Sequence, residues 1–212
     1  MAASSVLEGP ELFAHPVSGA LIAVVRERSY EDAEVAEICA RGGMEPWEFA
    51  ERLGTKAEAT VAVFEAYIDD FRRRVGTAYE AESDWPDNLR AASYETVRWI
   101  RAYPEAAWFG MVGVLGAGDM ALVAREELFR WCAGLIDAGR RAAPDPEAVP
   151  ASASMVAVGA AVEVVRRQQE GTFGGTAIET VPELMSAAVR PYLGEMAAQA
   201  ELRVPPPADL AE

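Results

Sequence analysis

Apolar residues recur at intervals of three and four along most of this chain, as in Val61, Phe64, Ile68, Phe71 and Val75, while Gly, Pro and Asp fall between the periodic stretches. That spacing lines one side of a helix with 3.6 residues per turn and does not fit the two-residue alternation of a half-buried strand. The sequence therefore predicts an all-α fold. Helices are expected over Val17 to Arg28, from near Tyr30 through Ile38, from Pro46 to Gly54, and from Lys56 to about Ala81 with Thr55 as its cap. Others are expected over Asn88 to Ala102, Ala121 to Ala138, Ala151 to Glu170 and Val181 to Met196. Two short helices separated by Arg41-Gly42-Gly43 make a helix-turn-helix pattern. The boundaries divide the chain into a flexible N-terminal arm (1–16), a three-helix unit (17–56), a larger helical domain (57–200) and a flexible tail (201–212) carrying Pro205, Pro206 and Pro207.

Composition narrows what such a bundle does. At 212 residues the chain is long enough to bury a substantial core. Its two cysteines, Cys39 and Cys132, are too few for a disulfide framework and lack metal-ligand spacing, so they read as reduced thiols in a cytoplasmic protein. The first residues carry no basic segment, and the weakly polar run Ala106 to Gly118 is shorter than the roughly 20 residues of a membrane span. Neither export nor a membrane partner is expected. With 34 acidic against 19 basic residues the formal charge is −15, which repels polyanions at long range.

At residues 35–56, VAEICARGGMEPWEFAERLGTK, the chain resembles the TetR family of one-component transcriptional regulators. Val35, Ile38, Ala40, Gly43 and Met44 sit where that family keeps its helix-turn-helix core. Phe49 and Leu53 take its aromatic and apolar positions, and Lys56 matches the basic residue that opens its fourth helix. SDWPDNLRA, the Pro104-Glu105 break and AREELFRWCAGLI are similar to the ligand-binding domain of actinobacterial-type members. VGAAVEVVRRQQEG followed by VPELMSAAVRPYLG is similar to their two dimerising helices. The resemblance spans about Val17 to Gly194 and rests on order and spacing. It implies a homodimer that binds palindromic operator DNA through 17–56, with a small, apolar ligand and the dimer contact in 57–200.

By position, Glu45, Trp47, Glu48, Arg52 and Lys56 are the DNA-contact candidates. They depart from the family pattern, which brings hydroxyls, a basic residue and a Tyr-His pair to this helix. Glutamates face phosphate with like charge, and a carboxylate reads a base chiefly through cytosine N4. Through Lys56 there are five cations (Arg26, Arg28, Arg41, Arg52, Lys56) against ten carboxylates, whereas DNA-binding domains are commonly basic. Two readings stay open: a working regulator, or a TetR-fold ligand- or protein-binding dimer with weakened or lost DNA binding.

In the larger domain, Trp99, Trp108, Phe109, Met111, Met120 and Phe129 are candidates to line a ligand pocket, since such sites are mostly apolar and Met adapts to irregular shapes; the same residues suit ordinary core. Val158, Ala161, Val162 and Val165, with Leu184, Ala188, Val189 and Tyr192, form small-residue stripes on the last two helices that suit a twofold contact or burial within the monomer.

Enzymatic patterns are weak. Gly116-Ala117-Gly118-Asp119-Met120-Ala121 fits a dinucleotide-binding signature, with Asp137 near the ribose position, but no flanking strands exist to build the sheet it requires, and a glycine bend between helices is the better reading. The single His15 lies in the arm, and no HExxH or Cys-x-x-Cys occurs. No catalytic residue, metal or cofactor is assigned.

Overall fold

The computed structural model describes residues 6–210, and among them it contains ten α-helices and no strand, as the spacing predicts. They are α1 (Gly9–Ala14), α2 (Pro16–Arg28), α3 (Val35–Gly42), α4 (Pro46–Leu53), α5 (Lys56–Glu80), α6 (Asp87–Ala102), α7 (Pro104–Met111), α8 (Asp119–Asp137), α9 (Ala153–Gln169) and α10 (Ala177–Glu201). None of the described helices is long and apolar enough to cross a membrane. The chain forms two compact units. The described residues of Met1–Arg72 join Tyr103–Glu127 in one, and Arg73–Ala102 joins the described residues of Leu128–Glu212 in the other.

In the first unit α2 packs against α3 and α7. Leu21, Ile22, Val24 and Val25 are buried on α2, and Ile38, Phe49, Phe64 and Phe109 complete the core. The expected loose arm is corrected from Leu7 onward. Leu7 and Leu12 are fully buried, Pro10 opens α1, and the Leu7 N–H donates to the Arg52 carbonyl at 3.3 Å. Two leucines at i and i+5 anchor a six-residue helix too short to show a period. Residues 1–5 of that arm lie outside the described part. His15 is not a mobile residue either: its Nδ1 accepts from the Val17 N–H at 3.2 Å and caps α2. The helix expected from Tyr30 starts instead at Val35, because Ser29, at φ +92°, ends α2 and residues 30–32 turn before Glu34 takes the N-cap position.

In the second unit α10 packs against α9 and α6 over a core that includes Tyr94, Val97, Ile136, Met185, Val189 and Tyr192. Trp85 meets Tyr192 edge-on at 5.1 Å, and a side chain on Gly139 would collide with the Trp85 ring at 2.4 Å. The Tyr192 hydroxyl donates to Asp137 Oδ1 at 3.2 Å, and burial, with that carboxylate beside it, pushes the phenol up to about 12. Helix α10 starts four residues earlier than expected, at a capping box in which Thr176 and Glu179 exchange bonds.

The expected flexible tail is likewise tied down. Glu201, 5% exposed, accepts both Arg90 Nε at 2.9 Å and Nη2 at 2.8 Å, and Asp209 accepts two bonds from Arg98 at 2.8 and 2.9 Å beside buried Leu210. Residues 211–212 lie outside the described part. Truncating the partner of a buried carboxylate leaves an uncompensated charge, so Arg90→Ala is expected to cost about 3 kcal/mol in urea unfolding, more than the joint replacement Arg90→Met with Glu201→Leu. Equal costs for the single and the double change would contradict a coupled pair.

Candidate nucleic-acid interface

The helix-turn-helix is built by apolar contacts and two glycines. Ile38, Cys39 and Met44 are buried beneath the turn, and Phe49 and Leu53 bury the inner side of α4. A Cβ on Gly42 would stand 2.7 Å from the Val17 Cα, so only glycine lets α3 approach α2 this closely. Gly43, at φ +65°, closes α3 in the left-handed conformation, and the chain re-enters helix at Pro46 in the first turn of α4.

The five sequence candidates divide sharply in this frame. Trp47, at the second position of α4, is 66% exposed. Glu45 stands exposed at the N-cap position without a capping bond from its side chain. Glu48 and Arg52 are taken by one another at 3.2 Å, and Arg52 also reaches Glu11 at 2.9 Å. Lys56, the single lysine of the sequence, is structural. Its Nζ donates to the carbonyls of Tyr30 at 2.7 Å, Ala33 at 2.9 Å and Glu31 at 3.2 Å, and lies 4.7 Å from the Tyr30 ring centre. An ammonium has three donors, so this set uses all of them. Beside it Thr55 and Glu58 form a capping box that starts α5, as the sequence predicts.

The remaining cations of this stretch are engaged as well. Arg41 makes two bonds to Glu27, at 2.8 and 2.7 Å, and one to Glu37 at 2.5 Å; the guanidinium holds the Glu27 carboxyl below its usual range. Arg28 pairs with Glu37 at 3.5 Å, and Arg26 pairs with Glu105 while its guanidinium stacks over Trp108 at 5.3 Å. Half-exposed pairs of this kind contribute roughly 0–1 kcal/mol each and can exchange partners. Exchange does not change the balance on α3, α4 and their N-cap residues, five carboxylates (Glu34, Glu37, Glu45, Glu48, Glu51) against two cations (Arg41, Arg52), so this surface is acidic.

The pocket candidates are scattered. Phe109 is buried against Phe64 at 6.1 Å, Trp108 and Met111 are half-buried on the same helix, and all lie in the first unit. Met120, 69% exposed, is corrected: it stands at the start of α8 and encloses nothing. Trp99 and Phe129 belong to the second unit, Trp99 buried and Phe129 packed against its core. Gly116 and Gly118, the latter at φ +89°, form a bend between helical segments.

The dimer stripe is corrected in part. Val158, Ala188, Val189 and Tyr192 are buried in the core of their own chain and cannot also face a second copy. Ala161, Val162, Val165 and Leu184 are half-buried. The exposed apolar residues of these helices are Met155, Val156, Gly159 and Ala160 on α9 and Ala187, Pro191 and Met196 on α10. Among the described residues no group of three His, Cys, Asp or Glu is placed to hold a metal ion.

Replacing Lys56 by Met leaves the carbonyls of the 30–33 turn without their donor. The expected cost is about 2 kcal/mol in thermal unfolding, together with loss of amide protection in α3 and α4. Unchanged protection would show that the turn does not need the ammonium.

No family model matches the sequence, and no curated protein matches it. Solved structures do match its fold. The fatty acid degradation regulator FadR from Bacillus halodurans superposes with a TM-score of 0.70 at 14% identity, covering 82% of this chain and 96% of that one. The transcriptional regulator FadR from Bacillus subtilis, solved in complex with stearoyl-CoA, gives 0.69 at 12% identity over 82% and 96%. A TetR-like transcriptional regulator from Rhodococcus sp. RHA1 gives 0.64 at 17% identity over 87% and 97%. The chain has the all-α fold of TetR-like transcriptional regulators.

Proposed function

We propose that this protein is a cytoplasmic, homodimeric one-component transcriptional regulator of the TetR type, a repressor whose affinity for palindromic operator DNA is modulated by a small molecule bound in its C-terminal half. The observation that carries the reading is an intact helix-turn-helix, with the outer side of α4 exposed, in a chain that shares its fold with such regulators over more than four-fifths of its length. The regulator with stearoyl-CoA bound supports a ligand with a long apolar body for this chain. Regulation is then linkage: a ligand that favours one arrangement of the paired helix-turn-helix units changes operator affinity by the same free energy by which DNA changes ligand affinity. Helix α5, covalently shared by both units, is the element proposed to carry that change.

The dimer is proposed to form through the outward residues of α9 and α10 named above, which bring small side chains to a twofold four-helix contact. Val156, 67% exposed, is the test position. Val156→Glu is expected to convert the dimer to monomer in analytical ultracentrifugation without loss of helix signal. A dimer that survives the change places the contact elsewhere.

A second reading, a ligand- or protein-binding dimer that no longer engages DNA, is favoured by one observation: each cation through Lys56 already has a carboxylate or carbonyl partner. Selection from random-sequence DNA followed by gel shift separates the two. The regulator reading predicts a selected palindrome bound specifically, with stearoyl-CoA as probe reducing the affinity. It also predicts a shallow salt dependence, equivalent to about four or fewer phosphates per helix-turn-helix. No enriched sequence, even at about 50 mM salt, would favour the second reading.

A further inference from the structure

The outer face of α4, which the operator reading turns toward DNA, carries a chemistry that packing does not use and that does not suit phosphate. Trp47 is the only aromatic among the exposed large apolar side chains of the described residues. Its i+3 neighbour, Ala50, is exposed and small, which leaves one side of the indole open, and its i+4 neighbour is the exposed Glu51. Glu45, two positions before the ring, and Glu34, at the start of α3, are also exposed, and among the described residues no ion pair takes the carboxylates of Glu34, Glu45 or Glu51. The fold holds this surface rigidly, because α4 is fixed from beneath by Phe49 and Leu53 and at its end by Arg52.

We propose that Trp47 and the flanking carboxylates of α4 form a docking surface for an Arg/Lys-rich polypeptide segment. The indole offers a π face to a guanidinium or ammonium and an apolar surface to its methylene stem, and Glu45 or Glu51 accepts from the charged head. Charge complementarity selects this occupant. A nucleic acid would bring phosphates against the same carboxylates, and a purely apolar helix would find one ring and one methyl group among charges, too little area to hold it. A bound segment covers the helix that would face DNA and so relieves repression. That consequence rests on the regulator reading, whereas the docking itself does not.

The test uses the full-length protein and a fluorescent synthetic peptide of alternating Arg and Gly, followed by anisotropy at about 50 mM salt. Circular dichroism checks that each variant is folded. Trp47→Ala is expected to weaken binding by about fivefold or more, and Glu45→Gln with Glu51→Gln to do the same. The control pair Glu82→Gln with Glu127→Gln removes the same charge from exposed positions elsewhere and is expected to stay within about twofold of the unchanged protein. Absence of binding, indifference to Trp47→Ala, or an equal loss in the control pair overturns the proposal, the last because attraction would then come from net charge alone. Gel shifts on the same variants keep the two readings apart. DNA binding that falls with Trp47→Ala while peptide binding does not overturns docking and leaves the regulator. Peptide binding that depends on Trp47 in a protein with no selected DNA sequence upholds docking and removes its regulatory consequence.

Discussion

One ammonium group ties the turn that leads into the helix-turn-helix to the long helix that follows it. The segment between α2 and α3 turns through residues 30–32 and presents the carbonyls of Tyr30, Glu31 and Ala33 on one side, where helical bonds cannot satisfy them. Lys56, at the first position of α5, supplies three donors to those three carbonyls and rests on the Tyr30 ring. Because the adjacent Thr55–Glu58 capping box fixes the start of α5, the turn, and with it the entry of α3, is registered against the long helix. Removing the donor would leave the half-buried carbonyls of Tyr30 and Ala33 unmet, which costs more than the bonds themselves contribute, while the exposed Glu31 carbonyl can turn to water.

That arrangement separates what keeps the fold from what would touch a partner. Ile38, Gly42, Met44, Phe49 and Leu53 make the supporting interior of the motif, and none of them carries charge. The exposed positions are free to vary because surface ion pairs contribute little to stability. In this chain they carry glutamates, and the arginines that remain are folded into pairs with Glu11, Glu27, Glu37, Glu48 and Glu105. The helix-turn-helix backbone therefore presents an acidic surface with one exposed indole. Fold and surface chemistry are independent quantities here, which is why likeness of fold alone does not decide what α4 binds.

Much of the architecture was legible in the residues. Periodicity located eight of the helices, and Thr55, Pro46 and the Gly42-Gly43 pair marked their ends within a few residues. Short or distant effects were not legible. Helix α1 spans six residues and is held by the burial of Leu7 and Leu12 and by the bond from the Leu7 N–H to the distant Arg52 carbonyl, and the tail is held by Arg90 and Arg98, each 111 residues away in sequence. The start of α10 was placed at Val181, and the Thr176–Glu179 capping box sets it four residues earlier. On α9 and α10 spacing shows apolar stripes but cannot say which of them faces its own core: Val158, Val189 and Tyr192 face inward and Val156 faces out. Lys56 was recognised by position and assigned to DNA, since nothing local announces that three carbonyls more than twenty residues earlier take its protons.

Because Lys56 is the only lysine in the sequence, its engagement can be read on a single side chain. The rate of reductive methylation of its amine in the native protein, followed by peptide mass mapping, tests whether the ammonium belongs to the fold. The account predicts modification far slower than that of a free lysine side chain under the same conditions, rising to the free rate when the protein is unfolded in urea. Modification at the free rate in the native state would contradict it, because the ammonium would then be open to solvent and available to phosphate.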